Sequence, residues 1–250
     1  MKYSIVIPAY NESRRIVTTL NQVLSFVASN GWDAELIIVN DGSRDDTAEI
    51  VKQYATRNPM MRLIENPGNR GKGYSVRNGM LNARGEILIF SDADLSAPIE
   101  EAPKLLEAIE GGAGVAMGSR WLRPELQKQR QSLHRQFLGR VFNVLLRLVL
   151  GLNFADTQCG FKAFSRRAAE TVFKLQRIER WGFDPEIIYL ARKKGFKVVE
   201  IPVQWSHDDK TTIHPVRDGL RMFLDVLKVR WNALCGRYAV TGPSARATHL

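Results

Sequence analysis

The sequence predicts an α/β fold, doubly wound around a mainly parallel sheet. Three observations predict it. Short apolar runs alternate with helical patterns through the first half of the chain. The runs are continuously apolar, as strands covered on both faces are. Three of them end in polar clusters: Pro8-Ala9-Tyr10-Asn11-Glu12, Asn40-Asp41-Gly42-Ser43 and Asp92-Ala93-Asp94. Ligands bind outside the carboxyl ends of such strands, so the clusters converge on one edge.

The elements follow in order. YSIVIPAY (3–10) reads as a strand and 12–29 as a helix. AELIIVND (34–41) is a second strand. Ser43 and Asp46, three apart, form a capping-box pattern that opens the next helix. MRLIEN (61–66) is a third strand, followed by the glycine-rich loop NPGNRGKG (66–73). Residues 72–84 read as helical, and EILIF (86–90) as a fourth strand. A helix near 98–110 and a strand near 114–118 complete the first half. In the second half, 133–151 is a long apolar helix. GFKAF (160–164) and FKVVEIPVQW (196–205) are strands. Helices are expected near 166–174, 184–194 and 215–235. Without repeats or a linker, 1–240 reads as one catalytic unit, with a half ending at 118 and a second half from 119. The tail at 241–250 is expected to be disordered.

Composition narrows the classes. Two cysteines far apart, Cys159 and Cys235, give neither a disulfide framework nor zinc spacing, which fits a reducing compartment. The start lacks a signal-peptide pattern, and no apolar run is long enough to span a bilayer. The net charge is +10. Residues 119–150 hold seven cations (Arg120, Arg123, Lys128, Arg130, Arg135, Arg140, Arg147) against Glu125, giving seven minus one, or +6. Leu and Val interleave these cations where a single-strand binder would place stacking aromatics, so no nucleic-acid partner is expected.

Asp92 and Asp94 sit one residue apart after an apolar strand. At an extended strand end, residues i and i+2 point to one side. Paired carboxylates suit Mg²⁺ or Mn²⁺, with substrate phosphates completing the shell. The glycine-rich loop fails the Walker spacing because Gly73 follows Lys72, and no dinucleotide fingerprint follows the first strand. A nucleotidyltransferase stays open as an alternative on this sheet. It would need a basic nucleotide-cradling loop near the start, which PAYNES is not.

Ordered motifs carry a resemblance over about residues 3–232. IVIPAYNE, IIVNDGSRDDT, GKGYSVRNGM and FSDADLSAP resemble the family 2 glycosyltransferases of the inverting GT-A fold. GSR, DTQCGFKAF and RWGFDPEIIYLA are similar to the polyprenyl-phosphate enzymes, and most to the dolichyl-phosphate β-glucosyltransferase branch. The resemblance implies that Pro8, Ala9, Tyr10, Glu12, Val39, Asp41 and Lys72 frame the nucleotide sugar. It implies that Asp92 and Ala93 approach the ribose and diphosphate, and that Asp94 ligates the metal. Arg120, Arg135 and Lys210 would face phosphates of donor and acceptor, with Asp156 near the acceptor. Relatives carry Gly-Ser before the lysine, where this chain has HDDK (207–210). Mannosyl relatives often place glutamine where this chain has Ser96, as the glucosyl branch does.

The implied reaction moves a hexose, foremost glucose from UDP-glucose, onto a polyprenyl phosphate with inversion. Mannose from GDP-mannose is the alternative. Such an acceptor is already anionic, so cations and a metal matter more than a general base. Its lipid tail requires a membrane surface. The helices at 136–150 and 217–234 are expected to meet it as interfacial elements, the first with its arginines against anionic headgroups. A peripheral position on the cytoplasmic, inner face follows from that expectation.

Overall fold

The computed structural model describes the backbone of residues 1–129, 133–206 and 215–239, with side chains for these except 128–141 and 215–218. Lys210, the side chain of Arg135 and the tail at 241–250 lie outside the described residues.

Strands β1 (Tyr3–Ala9), β2 (Ala34–Asn40), β3 (Met61–Glu65), β4 (Ile87–Ser91) and β5 (Val115–Ser119) come first, then β6 (Gln127–Gln129). They are followed by β7 (Phe161–Ser165), β8 (Val198–Pro202) and β9 (Trp205–Ser206). Seven of them form one sheet in the order β3-β2-β1-β4-β7-β5-β8, while β6 and β9 pair separately. Neighbours run parallel except β7, which lies antiparallel between β4 and β5. The two halves of the chain therefore share one sheet.

The helices are α1 (Ile16–Ser29), α2 (Thr47–Arg57), α3 (Lys72–Asn82), α4 (Ala102–Glu110), α5 (Leu133–Leu150), α6 (Arg166–Leu175), α7 (Phe183–Lys193) and α8 (Pro215–Leu234). Side chains alternate across each strand, so one strand feeds two cores. Ile5, Ile7, Leu36 and Ile89 pack with α1, α2 and α4. Val6, Ile37, Leu88 and Phe90 pack on the other face with α3 and α5–α8. Full burial of each such side chain stabilises the fold by roughly 1.5–3 kcal/mol, which is why these runs read as uninterrupted apolar sequence.

Three boundaries differ from expectation. The Ser43–Asp46 capping box does not form. The Ser43 hydroxyl accepts the Asn11 N–H, and Asp45 takes the Thr47 and Ser13 N–H groups, so α2 starts at Thr47. Residues 12–15 turn before α1, with Glu12 O accepting the Arg15 and Ile16 amides. The run at 196–205 divides, because β9 leaves the large sheet to pair with β6.

The two expected interfacial helices also differ from each other. On α5, Leu146 and Leu150 are buried, Phe142 packs on the core and Asn143 donates to Ala155 O, while Val144, Arg147 and Leu148 face outward. Its outer face is therefore mixed. On α8, Val226, Val229 and Asn232 face inward, whereas Leu220, Phe223, Leu224, Leu227, Trp231 and Leu234 are exposed, Trp231 by 60%. Among the described residues, fourteen large apolar side chains are exposed; six lie on α8 and two on α5. No helix of the described residues is long and apolar enough to cross a membrane.

Candidate active site

The chain builds β1, β2 and β3 outward, then returns to place β4 on the other side of β1. The crevice at the ends of β1 and β4 is thus the switch point of the sheet, where ligands bind in such folds. Among the described residues, two non-glycine residues adopt left-handed backbone conformations, Asn11 at φ 56° and Leu95 at φ 47°. Each lies just past one of these two strands. Backbone strain of this kind persists where the surroundings hold it, and it clusters at functional sites. Asn11 is held by Ser43 Oγ and by its own Oδ1, which accepts the Arg44 N–H.

At the end of β2, Asp41 is buried and turned toward the glycine-rich loop. Its Oδ1 accepts from Asn66 and the Arg70 N–H at 2.9 Å, and its Oδ2 from the Gly71 N–H at 2.8 Å. Gly71 sits at φ +107° with Glu179 O and Arg180 close over its Cα, a position a side chain cannot share. Asp41 therefore fixes the loop that begins α3. At the head of α3, the Lys72 ammonium lies 2.5 Å from Asp92 Oδ1, with the Trp181 ring 5.3 Å away.

Asp92 follows β4 and rests against the bare Cα of Gly160, whose carbonyl accepts the Asp92 N–H. Asp94 Oδ1 accepts the Ser96 N–H at 2.9 Å. Desolvation, and then the neighbouring Asp92 charge, push the Asp94 carboxyl above its ordinary range. A divalent cation would relieve that repulsion. No group of three or more His, Cys, Asp or Glu suited to a metal occurs among the described residues. The donor set is thus one or two carboxylates, which fits Mg²⁺ or Mn²⁺ completed by phosphate oxygens and water.

Charge continues inward behind this pair. Lys162 lies on β7 at 0% exposure, donating to Asp184 Oδ1 and Cys159 O at 2.5 Å each. Asp184 opens α7, and Phe183 beside it packs against Gly73. Burial alone would lower the Lys72 pKa, but Asp92 and Asp184 together outweigh it and hold the ammonium charged. From the core outward, Lys162, Asp184, Lys72 and Asp92 alternate in sign and end at Asp94.

Arg120 follows β5. Its Nε and Nη2 grip Asp156 at 2.6 and 2.8 Å, and its backbone N–H bonds the same carboxylate at 3.0 Å. Burial would raise the Asp156 carboxyl, yet Arg120 wins and holds it well below the usual range. Glu200 on β8 accepts the Ala155 and Asp156 amides, securing the loop that carries Asp156. The guanidinium lies over Trp205, 5.5 Å from the ring centroid.

The expected residues fall into two groups. Asp92, Asp94, Lys72 and Tyr10 border the crevice, with Pro8 half-buried beneath and Glu12 ion-paired to Arg15. Val39, Ala9, Ala93 and Asp156 are buried. Val39 packs its side chain against Gly79 on α3, so whatever part it takes toward a base falls to its backbone at the end of β2. Asp156 faces Arg120 in a bidentate pair, so any part it takes beside the acceptor runs through that guanidinium. Lys162, Glu200 and Gly160 were not singled out from sequence. A lone charge inside an apolar strand, as in GFKAF and VVEIP, is the signal that marks the first two.

Against known proteins, residues 4–173 match the model of glycosyl transferase family 2. A dolichyl-phosphate beta-glucosyltransferase of Trichomonas vaginalis is 36% identical over 90% of this chain and 70% of its own length. The human protein of that name is 32% identical over 94% of this chain and 76% of its own. Among solved structures, glucosyl-3-phosphoglycerate synthase of Mycobacterium tuberculosis with UDP superposes with a TM-score of 0.65, at 20% identity, over 94% of this chain and 80% of that one. Mannosyl-3-phosphoglycerate synthase of Rubrobacter xylanophilus gives 0.66, at 16% identity, over 95% and 76%. The fold and its edge site define a GT-A glycosyltransferase. The chain belongs to glycosyl transferase family 2.

Proposed function

We propose that this enzyme transfers glucose from UDP-glucose to a polyprenyl phosphate of the dolichyl type, with inversion, at a membrane surface. The names of the relatives support the acceptor and the sugar. The observation that carries the reading is the juxtaposition of Asp92 and Asp94 with Lys72 at the switch point, on a molecule that exposes an apolar helix face. Residues up to 118 serve the donor, and residues from 119 serve the acceptor.

Bringing a lipid phosphate to a nucleotide diphosphate joins two anions, so cations must offset their repulsion. Lys72 stands ready at the donor side. Arg120, fixed by Asp156 and Glu200, presents its edge on the other side, and Arg135 and Lys210 are assigned to the same work. Asp94, with Asp92 beside it, would hold Mg²⁺ or Mn²⁺, which when bound neutralises the departing diphosphate. The lipid phosphate, already ionised at neutral pH, attacks the anomeric carbon opposite the leaving group. An α-linked donor then yields a β-linked product without a protein base. The exposed face of α8 keeps the reaction at an interface, peripheral on the cytoplasmic side of the membrane.

The test offers UDP-glucose, GDP-mannose and UDP-N-acetylglucosamine in turn with one polyprenyl phosphate. Lipid-linked glucose and free UDP from the first donor alone are expected. Transfer from GDP-mannose instead would replace the sugar, and transfer of the uridylyl group with release of glucose 1-phosphate would make the enzyme a nucleotidyltransferase.

A further inference from the structure

A cavity of about 420 Å³ lies between α8 and the loop at 177–181. Arg177, Arg180 and Trp181 line it from the loop, and Arg221, Asp225 and Lys228 from α8. Glu179 also lines it, but its carboxylate is already matched by Arg70 at 3.1 Å and Arg77 at 3.7 Å. Asp225 leans on the backbone of Gly182. Four cationic side chains thus surround a cavity with two carboxylates, Glu179 paired to Arg70 and Arg77 outside it and Asp225 balanced by Lys228. Among the described residues, none assigned above to the donor or the acceptor lines it.

Position identifies the occupant. Arg221, Asp225 and Lys228 are spaced i, i+4, i+7, a stripe roughly a third of a turn around α8 from its exposed apolar stripe. When a helix lies in a bilayer interface with its apolar side down, its flanks sit at headgroup depth and long cations there reach the phosphates. Leu224 lines the cavity and belongs to the exposed face, so the cavity opens beside the apolar stripe. A soluble anion would use the cations but not that face.

We propose that this cavity seats the phosphate-bearing headgroup of an anionic membrane lipid, whose chains lie along Leu224 and its neighbours on α8. The proposal rests on the reading of α8 as the membrane face. The loop that walls the cavity also backs the donor site: Glu179 O accepts the Tyr74 N–H at 2.9 Å, and Trp181 stands beside Lys72. A seated headgroup would therefore buttress the wall behind Lys72.

Flotation with vesicles of phosphatidylcholine, alone or mixed with phosphatidylglycerol, tests it. Arg230 is exposed on α8 outside the cavity, so Arg230→Ala measures the cost of losing any charge near an anionic surface, on the order of fivefold. Arg180→Ala and Lys228→Ala are each expected to lower partition onto the anionic vesicles several-fold more than that. The double variant should lose far less than the product of the two, because both hold one phosphate. Single effects no larger than that of Arg230→Ala, or effects that multiply, overturn the cavity. Leu224→Glu is expected to abolish flotation on both vesicles. If it floats as wild type does, the membrane reading of α8 falls and the lipid source falls with it. If it fails to float while the cavity variants merely match Arg230→Ala, the cavity proposal alone falls. Glycerol phosphate that binds the free protein and is lost in Lys228→Ala, with no preference for anionic vesicles, would assign the cavity to a soluble phosphate and overturn the lipid.

Discussion

The Lys72 ammonium and the Asp92 carboxylate stand 2.5 Å apart at the mouth of the switch-point crevice. One belongs to the glycine-rich loop and the other to the end of β4, so the pair closes the site across two elements. It also compensates one acid of the Asp92-Ala93-Asp94 cluster, and Asp94 beside it is the proposed cation ligand.

Replacing Lys72 by methionine removes the charge and keeps the stem. Turnover should fall by about 10²-fold, the usual effect of losing one preorganised cation or donor at a developing charge. The Michaelis constant for UDP-glucose should rise with it. Steady-state kinetics with a fixed lipid phosphate measure both, and an unchanged turnover removes Lys72 from the reaction.

Asp94→Asn keeps the shape of the strand end and loses the anionic ligand. The melting temperature should hold while transfer nearly disappears. Near-normal turnover with added Mg²⁺ or Mn²⁺ would end the assignment of Asp94 to the metal.

Asp156→Asn tests positioning. Arg120 would keep part of its hydrogen bonding but lose a buried counter-charge, and breaking such a pair costs about 3–5 kcal/mol. Urea unfolding should register the loss, and acceptor use should weaken as Arg120 swings free. A stable variant with full activity would remove the pair from both folding and acceptor use.

Glu35 predicts a pH dependence of stability. It is buried on β2, where desolvation alone would raise its carboxyl. Hydrogen bonds from Ser4, the Arg84 amide and Arg62 outweigh that and hold it below its ordinary 4.5. A depressed carboxyl contributes fully above the unfolded value and loses that contribution as pH falls through the folded one. Wild type should therefore lose stability below about pH 4.5. Glu35→Gln should be weaker by about 1–3 kcal/mol at neutral pH and lack that part of the acid loss. Urea midpoints across the acid range check both.

Much of the molecule was legible from local pattern. β1, β2, β4 and β5 appeared as apolar runs because each is buried on both faces, and that demand is written residue by residue, whereas β3 at the sheet edge is only partly buried. The Asp92-Ala93-Asp94 cluster was legible because a charged pair at the end of such a run has few structural uses. The start of α2 was not, because Ser43 and Asp45 are claimed by Asn11 and Ser13 from another strand end, some thirty positions away. The antiparallel placement of β7 was equally silent, since strand direction in a sheet leaves no mark on composition.

The sequence by itself determined the layered α/β class, and it pointed to the edge and the acids of the proposed site, because burial and strand ends act on consecutive residues. Only the tertiary structure decided that Lys72 pairs with Asp92, that Asp156 turns to Arg120 and that Val39 faces the core. It alone decided that α8, rather than α5, presents its apolar side to the outside. Amphipathic periodicity states that a helix has two faces. Which face meets the protein depends on what the rest of the chain packs against it, and here Val226, Val229 and Asn232 fill the inner contact and leave the leucines and Trp231 outside.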